Sequence, residues 1–299
     1  MAGVEDTNTD ATALVTGSTS GIGRATALAL ARLGADVHVH GRNGEKGKEV
    51  VAEIQSHGVD SEFHKADFAK QSEVEKLAET IKDKEDLDIL VNNAGGYFRN
   101  AGANDEGIEF TFAVNHLSHF VLTHELLPVI EDSGDGRVVN VSSEAHKGAK
   151  MNLSTVSGDN ITGGWRAYGR AKLANIHFTK CLDRRLQDSE MKANVNAIHP
   201  GGIPGSGFLR TLPGPIYKLG KQLGRLPFAD TPEDGAATIL YALFSHEVAD
   251  ISGKYMKDTS TAQPTKLARD KQVQEDLWEK SVELTGTDWS DLFGEITDA

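Results

Sequence analysis

The sequence predicts an α/β fold, a doubly wound and mostly parallel sheet with helices on both faces. Three observations lead there. Short apolar runs alternate with longer helical patterns along most of the 299 residues, which is the pattern of consecutive βαβ units. The strand runs are largely apolar, as strands covered on both faces must be. The unusual residue clusters (Gly17–Gly23, Gly41-Arg42, Asp67, Asn92–Gly95, Ser142-Ser143 and Pro200-Gly201) all fall just after strand runs. In such sheets ligands collect beyond the carboxyl ends of the strands.

Each element has its own justification. Met1 to Asp10 is acidic and polar and reads as a disordered lead-in. Ala13-Leu14-Val15 is a strand that runs into Thr16-Gly17-Ser18-Thr19-Ser20-Gly21-Ile22-Gly23, and an Ala/Leu-rich helix, Ala25 to Leu33, starts at once. Glycines in such a turn let the backbone approach a phosphate, and the new helix offers it free N–H groups and a positive dipole end. A dinucleotide fingerprint requires this strand–turn–helix context. Asp36 to Gly41 alternates apolar and polar residues and reads as the second strand, followed by an amphipathic helix from Glu45 to His57. Ser61 to Lys65 is a strand ending at Ala66-Asp67, and Ser72 to Asp83 is a helix with Ser72 as its cap. Leu87 to Val91 is a strand before Asn92-Asn93-Ala94-Gly95. A long helical pattern spans Gly107 to Ile130. Gly136 to Val141 is a strand that ends in Ser142-Ser143, Trp165 to Gln187 is a long helix, and Ala193 to Ile198 is a strand before His199-Pro200-Gly201.

Gly202 to Leu226 breaks this rhythm with glycines, prolines and apolar residues, and reads as a flap over the site. Thr231-Pro232-Glu233-Asp234 starts a helix that continues to about Phe244, with Thr as cap, Pro at the first position and acids in the first turn. Gly253 to Met256 is the last strand and Lys266 to Thr285 a polar helix. Thr287 to Ala299 is an acidic tail carrying Trp289, Leu292, Phe293 and Ile296, either docked on the body or on a partner subunit, or disordered. Nothing divides residues 11–286, so they read as one domain.

Bulk properties narrow the partners. The net charge of −13 disfavours nucleic acid and anionic membranes. Cys181 is the only cysteine, so no intramolecular disulfide can form, and the chain suits a reducing cytoplasm. The N-terminal residues lack the pattern of a signal peptide, and no apolar run is long enough for a transmembrane segment.

The chemistry centres on Tyr168 and Lys172, one helical turn apart and on the same side of their helix. A nearby ammonium favours a phenolate, so Lys172 is expected to pull the Tyr168 pKa down from about 10. A phenol tuned in this way exchanges a proton with an alcohol or carbonyl near neutral pH. Ser143, at the end of a strand, offers a hydroxyl to orient a substrate oxygen. Ser142 competes for that role, and strand alternation turns only one of the two toward the ligand. Asn115 lies inside a long helix that it suits poorly, where it would distort the backbone locally and hold a water.

Taken in order, Thr16-Gly-x-x-x-Gly21-Ile-Gly23, Asn92-Asn-Ala-Gly95, Asn115, Ser143, Tyr168-x-x-x-Lys172 and the Pro200-Gly201 turn resemble the short-chain dehydrogenase/reductase family over roughly Thr12 to Met256. Val139-Asn140-Val141-Ser142-Ser143-Glu144-Ala145-His146, the long gap from Ser143 to Tyr168, Leu173-Ala174-Asn175, Gly253-Lys254-Tyr255 and Leu277-Trp278 look like its retinol-dehydrogenase-like branch. The resemblance implies a single-domain Rossmann fold and an oxidoreductase that interconverts an alcohol and a carbonyl by hydride transfer. Tyr168 would be the acid/base. Lys172 would lower its pKa and bind the nicotinamide ribose, Ser143 would hold the substrate oxygen, and Asn115 would complete a proton relay. Gly17, Ser18, Ser20, Gly21, Ile22 and Gly23 would surround the pyrophosphate, Asp67 the adenine edge, and Asn93, Ala94 and Gly95 the adenosine side. Pro200, Gly201 and Ile203 would lie near the nicotinamide. The family's threonine after this turn is replaced at Gly205-Ser206. The resemblance also allows a homodimer or homotetramer through the Tyr168 helix.

Cofactor choice rests on the end of the second strand. An acid there would accept hydrogen bonds from a ribose 2′-OH and mark NAD. This chain has Gly41, then Arg42 and Asn43. A guanidinium grips a 2′-phosphate with two hydrogen bonds, which predicts NADP(H) in preference to NAD(H). His116, His119 and His124 form no recognisable metal motif, so no metal is expected. Two rivals remain: a catalytically silent NADP(H)-binding regulatory module, and a sugar epimerase or dehydratase. The substrate would be a small alcohol or carbonyl compound, with an apolar aldehyde, ketone or alcohol favoured by the flap.

Overall fold

A computed structural model describes residues 9–84, 86–99, 102–202 and 230–294. The strands are β1 (Thr12–Val15), β2 (Asp36–Gly41), β3 (Ser61–Lys65), β4 (Ile89–Asn92), β5 (Arg137–Val141), β6 (Asn194–His199), β7 (Tyr255–Lys257) and β8 (Ser260–Ala262). They form one eight-stranded sheet in the order β3-β2-β1-β4-β5-β6-β7-β8. Every pair is parallel except β7 with β8. The chain steps outward from β1 to β3 and returns on the far side at β4. The topological switch therefore lies between β1 and β4, where Val15 pairs with both Val39 and Val91.

Alternation along the strands divides the core by face. Val15, Val39, Val91, Val139 and Ile198 point to one side, which α1 (Gly21–Arg32) and α2 (Gly44–Gln55) cover together with α7 (Pro232–Phe244). Leu14, Leu90, Val138 and Val195 point to the other. That side is covered by α3 (Gln71–Lys82), α5 (Ser118–Asp132) and α6 (Gly164–Asp188). Burying both faces is what demanded apolar residues on both sides of the central strands β1 and β4.

Several boundaries moved for local physical reasons. The helix expected from Gly107 starts as α4 (Phe110–Phe112), because the Glu109 side chain accepts from the backbone N–H groups of Thr111 and Phe112 and caps it. It passes through a π-helical turn at Ala113–Leu117 before α5. Ser72 does not cap α3: Lys70 holds that position without a side-chain bond. The last strand is a hairpin, because Asp258 and Thr259 both take φ of 51° and reverse the chain into β8. The polar helix near the end is α8 (Lys271–Thr285), which begins late because Asp270 caps it after a 3-10 turn at Leu267–Arg269. Thr231 and Asp234 form the expected capping box.

Of the readings open for the tail, docking on the body holds through α9 (Ser290–Phe293). Trp289 is 3% exposed and sits 4.6 Å from the Trp278 ring and 5.1 Å from Phe120. Of the expected lead-in, Thr9 is tied by its N–H to the Leu33 carbonyl at 2.8 Å. The flap, with Ile203, Gly205 and Ser206, lies outside the described residues from residue 203 onward.

Helix α6 is buried almost throughout from Ala167 to Cys181, and α8 covers its outer side. Glu275 of α8 holds Arg184 and Arg185 of α6, each at 2.7 Å. Along this stretch the outer side of α6 is thus packed against α8 of the same chain. Cys181 lies under the same cover. Burial, reinforced by the Glu275 carboxylate, pushes its thiol up to about 12. Ellman's reagent at pH 8 is expected to leave the native protein untouched and to titrate one thiol after unfolding in guanidinium. Rapid native reaction would mean that α8 lifts from α6.

Candidate active site

The strand ends open into a cleft of about 1510 Å³. Its floor at one end is the glycine turn. Gly17 takes φ of +67°, and a side chain there would sit 2.8 Å from Ala94 Cα. A Cβ on Gly23 would lie 2.5 Å from Asn93 Nδ2 and 2.6 Å from the Gly17 carbonyl, so α1 can only approach the turn this closely with glycine. Asn93 closes the arrangement by donating to the Thr16 carbonyl at 2.8 Å. Ser20 caps α1 without a side-chain bond, and the first turn holds no acid. The N–H groups and dipole of α1 are thus left for an anion in the cleft, and this backbone cradle fits a dinucleotide pyrophosphate. Ser20, Gly21 and Ile22 line the cleft here, and so do Ala94 and Gly95.

Two expected contacts are corrected. Ser18 is fully buried: its hydroxyl donates to the Val15 carbonyl at 2.7 Å and accepts from His40 N–H at 3.0 Å, so it braces the turn from below. Thr19 faces the cleft instead. Asn43 is turned away as the cap of α2, accepting from Lys46 N–H at 3.0 Å. His40 is a participant the sequence reading missed. Its Nδ1 accepts the Gly17 N–H at 3.1 Å and its ring stacks on Phe68, which couples β2 to the turn.

Arg42 and Asp67 meet at the ends of β2 and β3, 3.8 Å apart. A Cβ on Gly41 would come within 2.6 Å of Thr19 Cγ2. Any side chain at that position would have to displace Thr19. The Arg42 side chain is 64% exposed and borders the cleft.

On the opposite side, β5 delivers the two serines. Ser142 is buried and donates to the Lys172 carbonyl at 2.7 Å. Ser143 turns into the cleft, where its side chain hydrogen-bonds Tyr168. Lys172 Nζ donates to the Val141 carbonyl at 2.9 Å and lies 6.0 Å from the centre of the Tyr168 ring. Burial lowers Lys172 to about 8. The expectation that Lys172 depresses the Tyr168 pKa is not met in this arrangement. Burial raises the phenol above its ordinary value, and the opposing pull comes from the Ser143 hydrogen bond.

Asn115 sits in the π-helical turn, so the expected local distortion of the helix is there. Its side chain, however, is fully buried and does not reach the cleft. Oδ1 accepts from Gly96 N–H at 2.7 Å while Nδ2 donates to the carbonyls of Gly96 (3.0 Å) and Thr111 (2.8 Å). Gly95, at φ of +150°, leaves room for that oxygen, since a Cβ would lie 2.0 Å from it. Asn115 thus clamps the loop after β4. His119 links its carbonyl (3.2 Å) to the Thr16 hydroxyl (3.4 Å), a connection the sequence did not announce.

Pro200 and Gly201 line the far end of the cleft, where Gly202 N–H donates to Asp230 at 2.7 Å. Tyr97 and Trp165 were also missed. They pack at 6.3 Å and 5.8 Å from the Tyr168 ring and build an aromatic wall beside its hydroxyl. The three histidines of α5 and its entry are apart and separately engaged: His116 with Asn175 (3.3 Å) and Ser281 (3.1 Å), and His124 with the Asp288 carbonyl (2.8 Å).

Comparison with known proteins agrees with this geometry. The family model for short chain dehydrogenases matches residues 11–211. Human retinol dehydrogenase 13 is 35% identical over 291 residues, spanning 92% of this chain and 84% of that protein. Human polyprenol dehydrogenase is 32% identical over 284 residues, spanning 93% and 86%. Among solved structures, an uncharacterized protein from Mycobacterium paratuberculosis superimposes with a TM-score of 0.77 at 28% identity, covering 96% of this chain and 98% of that one. The angucycline C-6 ketoreductase LanV with bound NADP gives a TM-score of 0.67 at 28% identity, covering 84% and 95%. The chain belongs to the short chain dehydrogenase family, in its retinol-dehydrogenase-like branch, and is an oxidoreductase acting on CH–OH donors.

Proposed function

We propose that the protein interconverts an apolar alcohol with its aldehyde or ketone, using NADP(H), with Tyr168 as the acid/base. The observation that carries this reading is the Tyr168 hydroxyl, hydrogen-bonded to Ser143 in the same cleft that α1 opens onto. Bound nicotinamide would supply or accept the hydride. The chain's own groups do the rest. In reduction, the Ser143 hydroxyl orients the carbonyl oxygen and Tyr168 donates the phenolic proton to it as negative charge develops there. In oxidation the phenolate takes the proton back. Lys172, fixed by the Val141 carbonyl and 6.0 Å from the centre of the Tyr168 ring, would bind the nicotinamide ribose.

An apolar substrate is supported by the wall of Tyr97 and Trp165, the latter 53% exposed beside Tyr168. The named relatives handle retinol and polyprenol, both alcohols on long apolar chains. The test is a panel of apolar aldehydes and ketones with NADPH consumption followed by absorbance. Turnover of at least one class is expected. Tight NADPH binding without turnover across the panel would overturn the proposal and favour a silent binding module.

NADPH preference rests on Arg42 and on Gly41, which leaves no acid at the end of β2 for a ribose 2′-OH. Charge-assisted hydrogen bonds contribute about 1.5–3 kcal/mol. Arg42→Ala should therefore raise the KM for NADPH by about one to two orders of magnitude. The KM for NADH should stay within about twofold, since no phosphate is lost from that complex. Equal losses for the two cofactors, read from initial rates, would assign Arg42 to the loop alone.

A further inference from the structure

The outer strands carry a second cluster of functional groups, far from Tyr168. On β2 and β3 the register pairs His38 with Glu62 and His40 with His64. Residues two apart in a strand share a face, so His38, Glu62 and His64 project from the same side of the sheet. His38 Nδ1 and His64 Nε2 lie 3.0 Å apart, with the rings 61° to one another. One ligand atom from each of His38, Glu62 and His64 falls within 4.8 Å of the others. Among the described residues this is the one such group.

We propose that His38, His64 and Glu62 form a binding site for a zinc-like divalent transition-metal ion, with water completing a tetrahedral shell. The distances support it. Two imidazole nitrogens on one tetrahedral zinc, each at 2.0–2.1 Å, are about 3.4 Å apart. The pair needs to open by only a few tenths of an ångström. The proton now shared between the two nitrogens moves to the far nitrogen of its own ring, so both rings bind as neutral imidazoles. Burial already holds both in that form: His38 is lowered to about 4, and His64 is lowered as well. Glu62 is exposed and supplies the charge, and Asp86 lies near enough to add to it. The competing cation is Lys84, whose Nζ is 3.1 Å from Glu62.

The ion would cross-link the two strands whose ends carry Arg42 and Asp67. Its site is one ladder step from His40, which accepts the Gly17 N–H. It would therefore brace the adenosine side of the cleft without touching the reacting atoms. Imidazole ligands favour zinc, copper or nickel over magnesium and calcium.

The test uses the untagged full-length chain, zinc chloride, competition with a chromogenic zinc indicator, and thermal melting. One zinc per chain is expected at micromolar affinity, with Tm raised by about 4 °C at a hundredfold excess over Kd. His38→Asn and His64→Gln should each weaken binding by at least a hundredfold. Lys84→Ala, on an exposed side chain, should strengthen it several-fold, because it frees Glu62 and removes a repelling charge. That gain does not depend on whether the histidine variants fold, and a merely structural histidine pair would not show it. Absence of one-to-one binding below 100 µM zinc, or binding unchanged in His64→Gln or in Lys84→Ala, would overturn the proposal.

Discussion

Tyr168→Phe is expected to lower kcat/KM by about three orders of magnitude in both reaction directions, within the range for loss of a positioned general acid or base. The substitution removes one oxygen and keeps the ring, so the contacts with Tyr97 and Trp165 survive. Melting temperature should move little, and retention of more than a tenth of the activity would remove Tyr168 from the proton path. The pH profile supplies a second check whose sign follows from the site. Burial raises the Tyr168 phenol above its ordinary value of about 10, so the protonated form dominates from pH 6 to 9. Reduction draws on that form and should be flat across this range. Oxidation draws on the phenolate, whose population grows tenfold per pH unit below the pKa, so its rate should climb with a logarithmic slope near one. Lys172 sits at about 8 because burial disfavours its charge. The balance on the phenol is set by its own burial and by Ser143, so the oxidation slope should continue through that value. The Phe variant should lose the slope altogether.

The sequence was most legible where one residue type is required at one place. The glycine turn belongs here: Gly17 must take a positive φ and Gly23 has no room for a Cβ. So do the strands, whose apolar runs follow from a sheet covered on both sides. Ser143, Tyr168 and Lys172 meet at the cleft because β5 and α6 are long regular elements that hold a face in register. What stayed hidden depends on tertiary pairing. Ser18 looks like a phosphate contact in sequence, yet its hydroxyl is consumed beneath the turn by Val15 and His40. Asn43 reads as a cofactor contact, yet the course of α2 makes its side chain the cap of that helix. The hairpin after β7 is turned by Asp258 and Thr259 at positive φ, without the glycine that would have marked it. The influence of Lys172 on Tyr168 was reasoned from spacing, whereas burial of both groups set the balance.

The largest expected effect on stability belongs to Glu109 and Arg170, which no motif singles out. Their side chains are 0% and 3% exposed, with Arg170 Nη2 3.7 Å from Glu109 Oε2. Glu109→Gln should cost about 3–5 kcal/mol, because it leaves a guanidinium buried without a counter-charge. For a chain of this size that is a fall in Tm of about 5–8 °C. A buried ion pair can often be replaced by apolar residues with little loss, and here that exception should fail. Arg170 also donates to the carbonyls of Asn152, Thr155 and Thr162 and to the Thr155 hydroxyl. These bonds hold the long connection between Ser143 and Tyr168, whose wholly buried apolar anchor is Val156. Glu109 in turn caps α4 and thereby sets the start of the π-helical turn that positions Asn115. A Glu109→Leu, Arg170→Leu double variant removes both charges but strands those carbonyls and the cap. It should remain destabilised by at least as much as Glu109→Gln. A double variant as stable as the parent would show that the pair merely fills space. One that melts early would show that the pair's hydrogen bonds to the loop and to the start of α4, rather than its volume, hold the connection between Ser143 and Tyr168.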